Sequence, residues 1–212
     1  MTRIVYLHGF ASGPSSSKAR YLGHYLTDRG AQVDIPDLAQ GDFAHLTITR
    51  QLAVLDRAVR GQPVSLIGSS LGGYLAALYA ARHPSIARLV LLAPAFGFPT
   101  RWPQRLGPAQ TAEWRRTGWM DVFHYALGHT VPLSSHLLDD GAQYEDFPAF
   151  TQPALIFHGS HDDVVPAAYS REFAASHPNA HLEILDSTHE LTNVLDYMAP
   201  KVAAFLLPSQ QH

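Results

Sequence analysis

Residues Pro63–Pro84, PVSLIGSSLGGYLAALYAARHP, decide how the rest of the chain is read. The segment opens with Val64-Ser65-Leu66-Ile67, a short apolar run of the length and composition of a buried strand. It continues into Leu71–His83, rich in Ala, Leu and Tyr, which reads as a helix stopped by Pro84. Between the two lies Gly68-Ser69-Ser70-Leu71-Gly72. A strand that turns straight into a helix strains its central residue, and side chains two positions to either side would collide. Glycines at 68 and 72 remove that collision and lift the Ser70 hydroxyl above the sheet. The helix behind directs its positive end at the same point, favouring negative charge there. The segment reads as a nucleophile elbow with Ser70 at its apex; the plainer alternative is a strand–turn–helix with a surface serine.

Outward from the elbow, strands and helices alternate. Arg3–Leu7 is an apolar strand, followed by the turn-rich loop His8–Pro14 and a helix from the serines at 15–17 to Gly30. Gln32–Pro36 is a second, weaker strand. Thr47 can cap a helix with Ile48, Leu52, Leu55 and Val59 on one face, stopped at Gly61. Arg88–Ala93 is the fourth strand, Ala154–His158 the fifth and His181–Leu185 the sixth, with helices over 167–176 and 192–207. Pro200 must kink the last helix or open it at its first turn. This alternation predicts an α/β fold: one mainly parallel six-stranded sheet, order 2-1-3-4-5-6, with helices on both faces. Residues 1–95 and 154–212 form the core. The irregular stretch 96–153 is too long for a connecting loop and is expected to be an inserted small helical cap, with helix at Pro108–Arg116 and Met120–Leu127. The strand order puts the switch point between strands 1 and 3, so the site belongs where His8–Pro14 meets the Ser70 elbow.

Composition narrows the function classes. The 212 residues suit one domain, and 46% hydrophobic with 16% charged residues is ordinary for a globular protein. A formal charge of −3 provides no basic field for nucleic acid. The longest nearly apolar run, Leu89–Phe98, is too short to span a bilayer, and MTRIVYLHGF reads as a core strand rather than a secretory signal. The expected compartment is therefore the cytoplasm. Cysteine is absent, which excludes thiolate chemistry.

A serine hydroxyl needs a base within hydrogen-bond reach, itself oriented by a carboxylate. After the fifth strand comes His158-Gly159-Ser160-His161-Asp162-Asp163, and after the sixth Asp186-Ser187-Thr188-His189-Glu190. Ser70, Asp162 and His189 satisfy chain order, spacing and topology together. Asp163 competes with Asp162, and spacing from Gly159 favours Asp162. His177 and His181, at a helix end and a strand start, read as surface or structural residues. Acyl transfer also needs two donors aimed at the developing oxyanion. The Leu71 N–H, after the nucleophile, is one; the Phe10 N–H, after Gly9, is the other, unless Phe10 merely packs inward in a tight turn.

Tyr6-Leu-His-Gly-Phe10, then Ser12-Gly-Pro-Ser-Ser-Ser-Lys-Ala19 and Gly68-Ser-Ser-Leu-Gly-Gly-Tyr74, resemble the small bacterial YqiA-type esterases of the α/β-hydrolase superfamily. His158-Gly159 through Asp162 to Val165-Pro166 is similar to the acid loop of many superfamily hydrolases. The likeness covers most of the core and fades in the cap. It implies a serine carboxylesterase acting on small, short-acyl esters with Ser70, Asp162 and His189 as triad, and no cofactor. At position 11 this chain carries Ala where the resembled pattern has a polar residue, often Asn.

Weaker signals point nowhere else. Thirteen histidines are scattered, and His158 with His161 has no carboxylate-rich partner motif, so no metal is expected; His158 reads as a packed strand-end residue. Trp102, Trp114, Trp119 and Phe123 in the cap, with Tyr125, could line a substrate pocket or form the cap's own small core. Arg101, Arg105, Arg115 and Arg116 read as a solvated cap face. The partner is a small-molecule ester, without nucleic acid or membrane, the chain acting as monomer or homodimer. Thioesterases, carbon–carbon bond hydrolases and perhydrolases would use the same triad, and a silent binding protein the same fold.

Overall fold

The first strand, β1 (Arg3–Leu7), is fully buried from Ile4 to Leu7 because helices cover both of its faces. The computed structural model describes residues 1–207. From β1 the chain runs through helix α1 (Ser17–Thr27), strand β2 (Gln32–Asp34) and helix α2 (Ile48–Val59). The Thr47 hydroxyl caps α2 by accepting the Arg50 N–H at 3.1 Å. That helix ends at Arg60, held at φ 55°, one residue before the expected Gly61. Strand β3 (Val64–Ser69) and helix α3 (Leu71–Arg82) follow, then strand β4 (Ile86–Leu92).

Between β4 and the next core strand lie helices α4 (Phe98–Leu106) and α5 (Pro108–Thr117), a hairpin of β5 (Trp119–His124) and β6 (His129–Ser134), and helix α6 (His136–Gly141). The core resumes with β7 (Ala154–Gly159), α7 (Ala167–Ser176), β8 (Ala180–Leu185) and, after a 3₁₀ turn at Thr192–Val194, α8 (Leu195–Leu206). Pro200 sits inside α8. The expected last helix extends to 207, the final described residue, which lies just beyond it.

The six core strands pair in parallel in the order β2-β1-β3-β4-β7-β8. This is the predicted order, renumbered by the two strands of the hairpin. Side chains alternate between two apolar layers. Ile4, Tyr6, Ile67, Val90 and Phe157 pack with α1 and α8, while Val5, Leu7, Leu66, Leu91 and Ile156 pack with α2, α3 and Phe173 of α7. Helix α3 is buried from Leu71 to Ala80, which explains its apolar sequence on every side.

Residues 96–153 depart from expectation in several elements: α4, β6 and α6 form where no helix or strand is expected, and one expected helix is a strand. Met120–Leu127 was expected to be helical, yet residues 119–124 form an antiparallel strand. Its residues alternate: Met120, Val122 and His124 turn inward, while Trp119, Asp121 and Phe123 face solvent. That period of two is a strand's, and Gly128 at φ 72° completes the turn to β6. Nor do residues 96–153 carry a separate core. Phe96, Phe98, Trp114, Leu133, Leu137 and Phe150 belong to the apolar layer of α2 and α3.

Candidate active site

Register brings Leu7, Gly68 and Leu91 into line, and Gly159 opposite Leu185, so the loops after β1, β3, β7 and β8 leave the sheet along one edge. Ser70 stands where β3 becomes α3, at φ 55° and ψ −119°, a conformation that costs a non-glycine residue free energy. The bend is held on three sides. The Ser70 N–H donates to the Leu92 carbonyl at 2.9 Å, and the Ser70 carbonyl accepts from Gly73 at 2.9 Å and Ala95 at 3.0 Å. A methyl group at Gly68 would lie 2.3 Å from the Gly72 oxygen, and one at Gly72 only 2.2 Å from the Leu7 oxygen. Both neighbours are backbone, so neither can yield. These contacts are why the elbow needs glycine at both positions.

His189, in the turn after β8, has its Nε2 3.0 Å from Ser70 Oγ and its Nδ1 2.7 Å from Asp162 Oδ2. An ionised carboxylate only accepts, so the ring proton lies on Nδ1 and Nε2 is free to accept from the serine. The Asp162 side chain is fully buried, in the loop after β7. Its Oδ1 accepts the N–H groups of Val164 at 2.9 Å and Val165 at 2.7 Å. Burial alone would raise its pKa, but hydrogen bonds from His158, His189 and Val165 outweigh that and hold the carboxyl well below the usual carboxylate range. Asp163 is exposed, and its main-chain carbonyl accepts from Arg105 at 3.1 Å. Gly159 lets this loop approach the next, since a methyl there would lie 2.4 Å from the carbonyl oxygens of Ser187 and Thr188.

The loop after β1 closes the other side. Gly9 lies against Ser70, its missing Cβ 3.4 Å from that of the serine. Phe10 follows, its ring packed on Phe43 and Trp102 with centroids 5.4 and 4.9 Å apart. Among the described residues neither the Phe10 nor the Leu71 N–H has a backbone or side-chain acceptor. Ala11 is held at φ 50° and its carbonyl accepts the Tyr125 N–H at 2.8 Å, tying the hairpin to this loop. His8 fixes the loop's base: its Nε2 accepts the Leu38 N–H at 3.2 Å, and burial pushes the ring's pKa down, favouring the neutral acceptor form.

Of the four aromatics read as pocket or small-core residues, Trp102 packs on Phe10 of these loops. Trp114 is 1% exposed and spends its indole N–H on the Leu133 carbonyl at 2.9 Å, so it is a core residue. Trp119 and Phe123 stand on the solvent face of the hairpin, because they fall on the outward phase of β5. Arg101 and Arg105, expected as a solvated face, instead donate to the Val164 carbonyl at 2.9 and 2.7 Å and bind α4 to the acid loop. His158 is buried as expected, but its contact with Asp162 has no local sequence signature. Among the described residues no group of three or more His, Asp or Glu side chains could hold a metal ion. No described helix is long and apolar enough to cross a membrane.

Comparison with known proteins agrees with this architecture. The chain is 25% identical over 230 residues to 2-hydroxymuconate semialdehyde hydrolase of Pseudomonas putida, covering 89% of this chain and 80% of that one. It is 29% identical over 149 residues to human (lyso)-N-acylphosphatidylethanolamine lipase, covering 63% and 40%. The structure of Est1E from Butyrivibrio proteoclasticus with ferulic acid superposes with a TM-score of 0.80 at 22% identity, covering 98% and 88%. The two sequence relatives, a hydrolase and a lipase, support a hydrolase. The fold is that of α/β hydrolases such as mouse alpha/beta hydrolase domain-containing protein 10, with a TM-score of 0.80 at 18% identity; the model of the uncharacterised protein family UPF0227 matches residues 3–206, and the chain belongs to that family.

Proposed function

We propose that the protein is a serine carboxyl-ester hydrolase acting on small esters through an acyl-enzyme. The observation that carries this reading is the continuous chain from Ser70 Oγ through the His189 ring to buried Asp162, at 3.0 and 2.7 Å. Ser70 Oγ attacks the ester carbonyl while His189 Nε2 takes its proton. The carbonyl oxygen gains the negative charge and lies toward the Phe10 and Leu71 N–H groups, with the amino end of α3 behind them. Collapse of the tetrahedral intermediate expels the alkoxide, which His189 protonates as the alcohol leaves. His189 then deprotonates a water that attacks the acyl-serine, and the acid and free Ser70 are released. Asp162 holds the imidazole tautomer and stabilises the imidazolium. Side chains and water perform every step, so the reaction needs no cofactor.

Residues 96–153 are read as the cap over this edge, placing Trp102 beside the Phe10 loop as the apolar wall nearest the acyl group. The named relatives include a lipase, and the neighbouring Est1E structure holds ferulic acid, which is consistent with ester substrates. A fluorophosphonate probe and a panel of p-nitrophenyl esters of graded acyl length test the proposal. Wild-type protein should label at Ser70 and turn over the short esters fastest. Ser70→Ala should abolish labelling and cut kcat by about 10⁴-fold or more; ester turnover retained by that variant would overturn the reading.

A further inference from the structure

Lys18 lies in the first turn of α1, yet only 10% of its side chain is exposed. Its neighbours on the chain, Ser17 and Ala19, have no charge to bury, and Arg20 reaches solvent. Burying an ammonium is unfavourable unless it is firmly paired. Here the Nζ donates to the main-chain carbonyl of Glu190 at 2.7 Å, while the Glu190 carboxylate stands 3.7 Å away and is itself 70% exposed. The hydrogen bond is therefore aimed at the backbone of the turn that presents His189.

That turn needs an anchor. Leu191, immediately after the held carbonyl, takes a left-handed φ of 52° with its side chain fully buried. Within the turn the Leu191 N–H reaches the Thr188 carbonyl at 3.3 Å, at the long end for such a bond. Ser187 with Asn193, Asn193 with the Asp186 carbonyl and the His161 N–H with the Ser187 carbonyl tie the base of the turn rather than its tip, and the Val194 N–H reaches the Leu191 carbonyl only at 3.4 Å. Lys18 reaches the tip from the helix that begins directly after the Phe10 loop, so one side chain spans the two segments flanking Ser70.

We propose that Lys18 is a positioning residue: its buried ammonium clamps the Glu190 carbonyl and so keeps the His189 ring in line between Ser70 and Asp162. The proposal rests on His189 being the base that activates Ser70. Burial lowers the pKa of the lysine, while Glu190 and Asp162, the carboxylates that face it, favour its charged form.

The experiment compares Lys18→Met, Lys18→Arg and His189→Ala with wild type, reading the fluorophosphonate labelling rate, kcat and KM on one short ester, and the melting temperature. Lys18→Met should lower kcat and the labelling rate together by about 10- to 100-fold, with KM within about threefold. Lys18→Arg, which restores a cationic donor, should recover most of both rates. A folded Lys18→Met protein within twofold of wild type in both rates would overturn the proposal. Loss in Lys18→Met with KM raised in step and no recovery in Lys18→Arg would overturn it too, marking general damage. His189→Ala separates the two readings: if that variant labels at the wild-type rate, the base assignment itself fails. If it labels slowly while Lys18→Met labels normally, only the role of Lys18 falls.

Discussion

His158 Nε2 lies 3.1 Å from Asp162 Oδ2, the same oxygen that faces His189 Nδ1 at 2.7 Å. The two rings are different in kind. His158 is fully buried, with Nδ1 against Ser170 Oγ and Nε2 against the Val165 carbonyl, each at 2.8 Å, so it is locked in place. His189 keeps 11% of its side chain exposed at the edge of the sheet. Asp162 is thus a carboxylate held by a rigid histidine and two backbone N–H groups on one side, and facing the more exposed His189 ring on the other.

This arrangement sets a pH dependence of stability. The Asp162 pKa is depressed in the folded protein from 3.8, burial opposing the shift and hydrogen bonds from His158, His189 and Val165 producing it. A carboxyl depressed on folding stabilises the native state above its unfolded pKa, and that contribution is lost as pH falls below about 4. Asp162→Asn should therefore be less stable than wild type at pH 7, and the gap should narrow progressively below pH 4. Urea midpoints measured from pH 7 to pH 3 check this; a gap constant across the range would show that Asp162 is not held ionised.

The elbow glycines give a sharper structural test. At Gly72 an added methyl would meet the Leu7 and His8 carbonyl oxygens at 2.2 and 2.5 Å, so β1 and α3 would have to separate. Gly72→Ala should cost about 3 kcal/mol or more and remove Ser70 labelling. Gly141, near the end of α6, has nothing within 4 Å of its missing Cβ. Gly141→Ala should be neutral or stabilising by up to about 1 kcal/mol. Thermal melts of the pair separate close packing from mere helix propensity.

Aromatic residues between β4 and β7 should divide by the face they occupy. Trp102 packs on Phe10, Phe98 and Trp114 with centroids 4.9, 5.0 and 5.4 Å apart. Removing it opens space beside the Phe10 loop, so Trp102→Ala should shift kcat/KM toward longer acyl chains by about tenfold relative to the acetyl ester. Trp119→Ala and Phe123→Ala should leave the acyl profile within twofold. An altered profile in the latter two would mean that the outer face of the hairpin reaches substrate.

Much of this was legible in the sequence because the core strands are buried on both faces and so appear as continuous apolar runs, as in Val64–Ile67 and Leu89–Leu92. The chain order Ser70, Asp162, His189 follows from strand ends alone, and the structure brings those side chains together. Residues 96–153 were harder to read. Pro99 and Pro103 look like breakers yet lie within α4, and Trp119–His124 mixes bulky apolar with polar residues that suit a helix face as well as a strand. The Lys18–Glu190 tie and the contact of His158 with Asp162 were beyond local patterns, since they lie across the fold or depend on how a loop folds back.

Ala11 is the position where the sequence departs from the resembled pattern, and the structure supplies the reason a polar residue suits it. At φ 50° the backbone is left-handed, a region that Asn and Gly occupy more readily than Ala. The strain is maintained because the Ala11 carbonyl is held by the Tyr125 N–H at 2.8 Å and the side chain is 3% exposed, leaving the residue no freedom to relax. Ala11→Gly should relieve more strain than it adds in unfolded-chain entropy, raising stability by about 0.5–1 kcal/mol. Because the carbonyl tie to the hairpin is unchanged, kcat on a short ester should stay within about twofold. A thermal melt and one steady-state assay decide the matter: a destabilised variant would mean that the Ala11 methyl contributes more by packing than its backbone conformation costs.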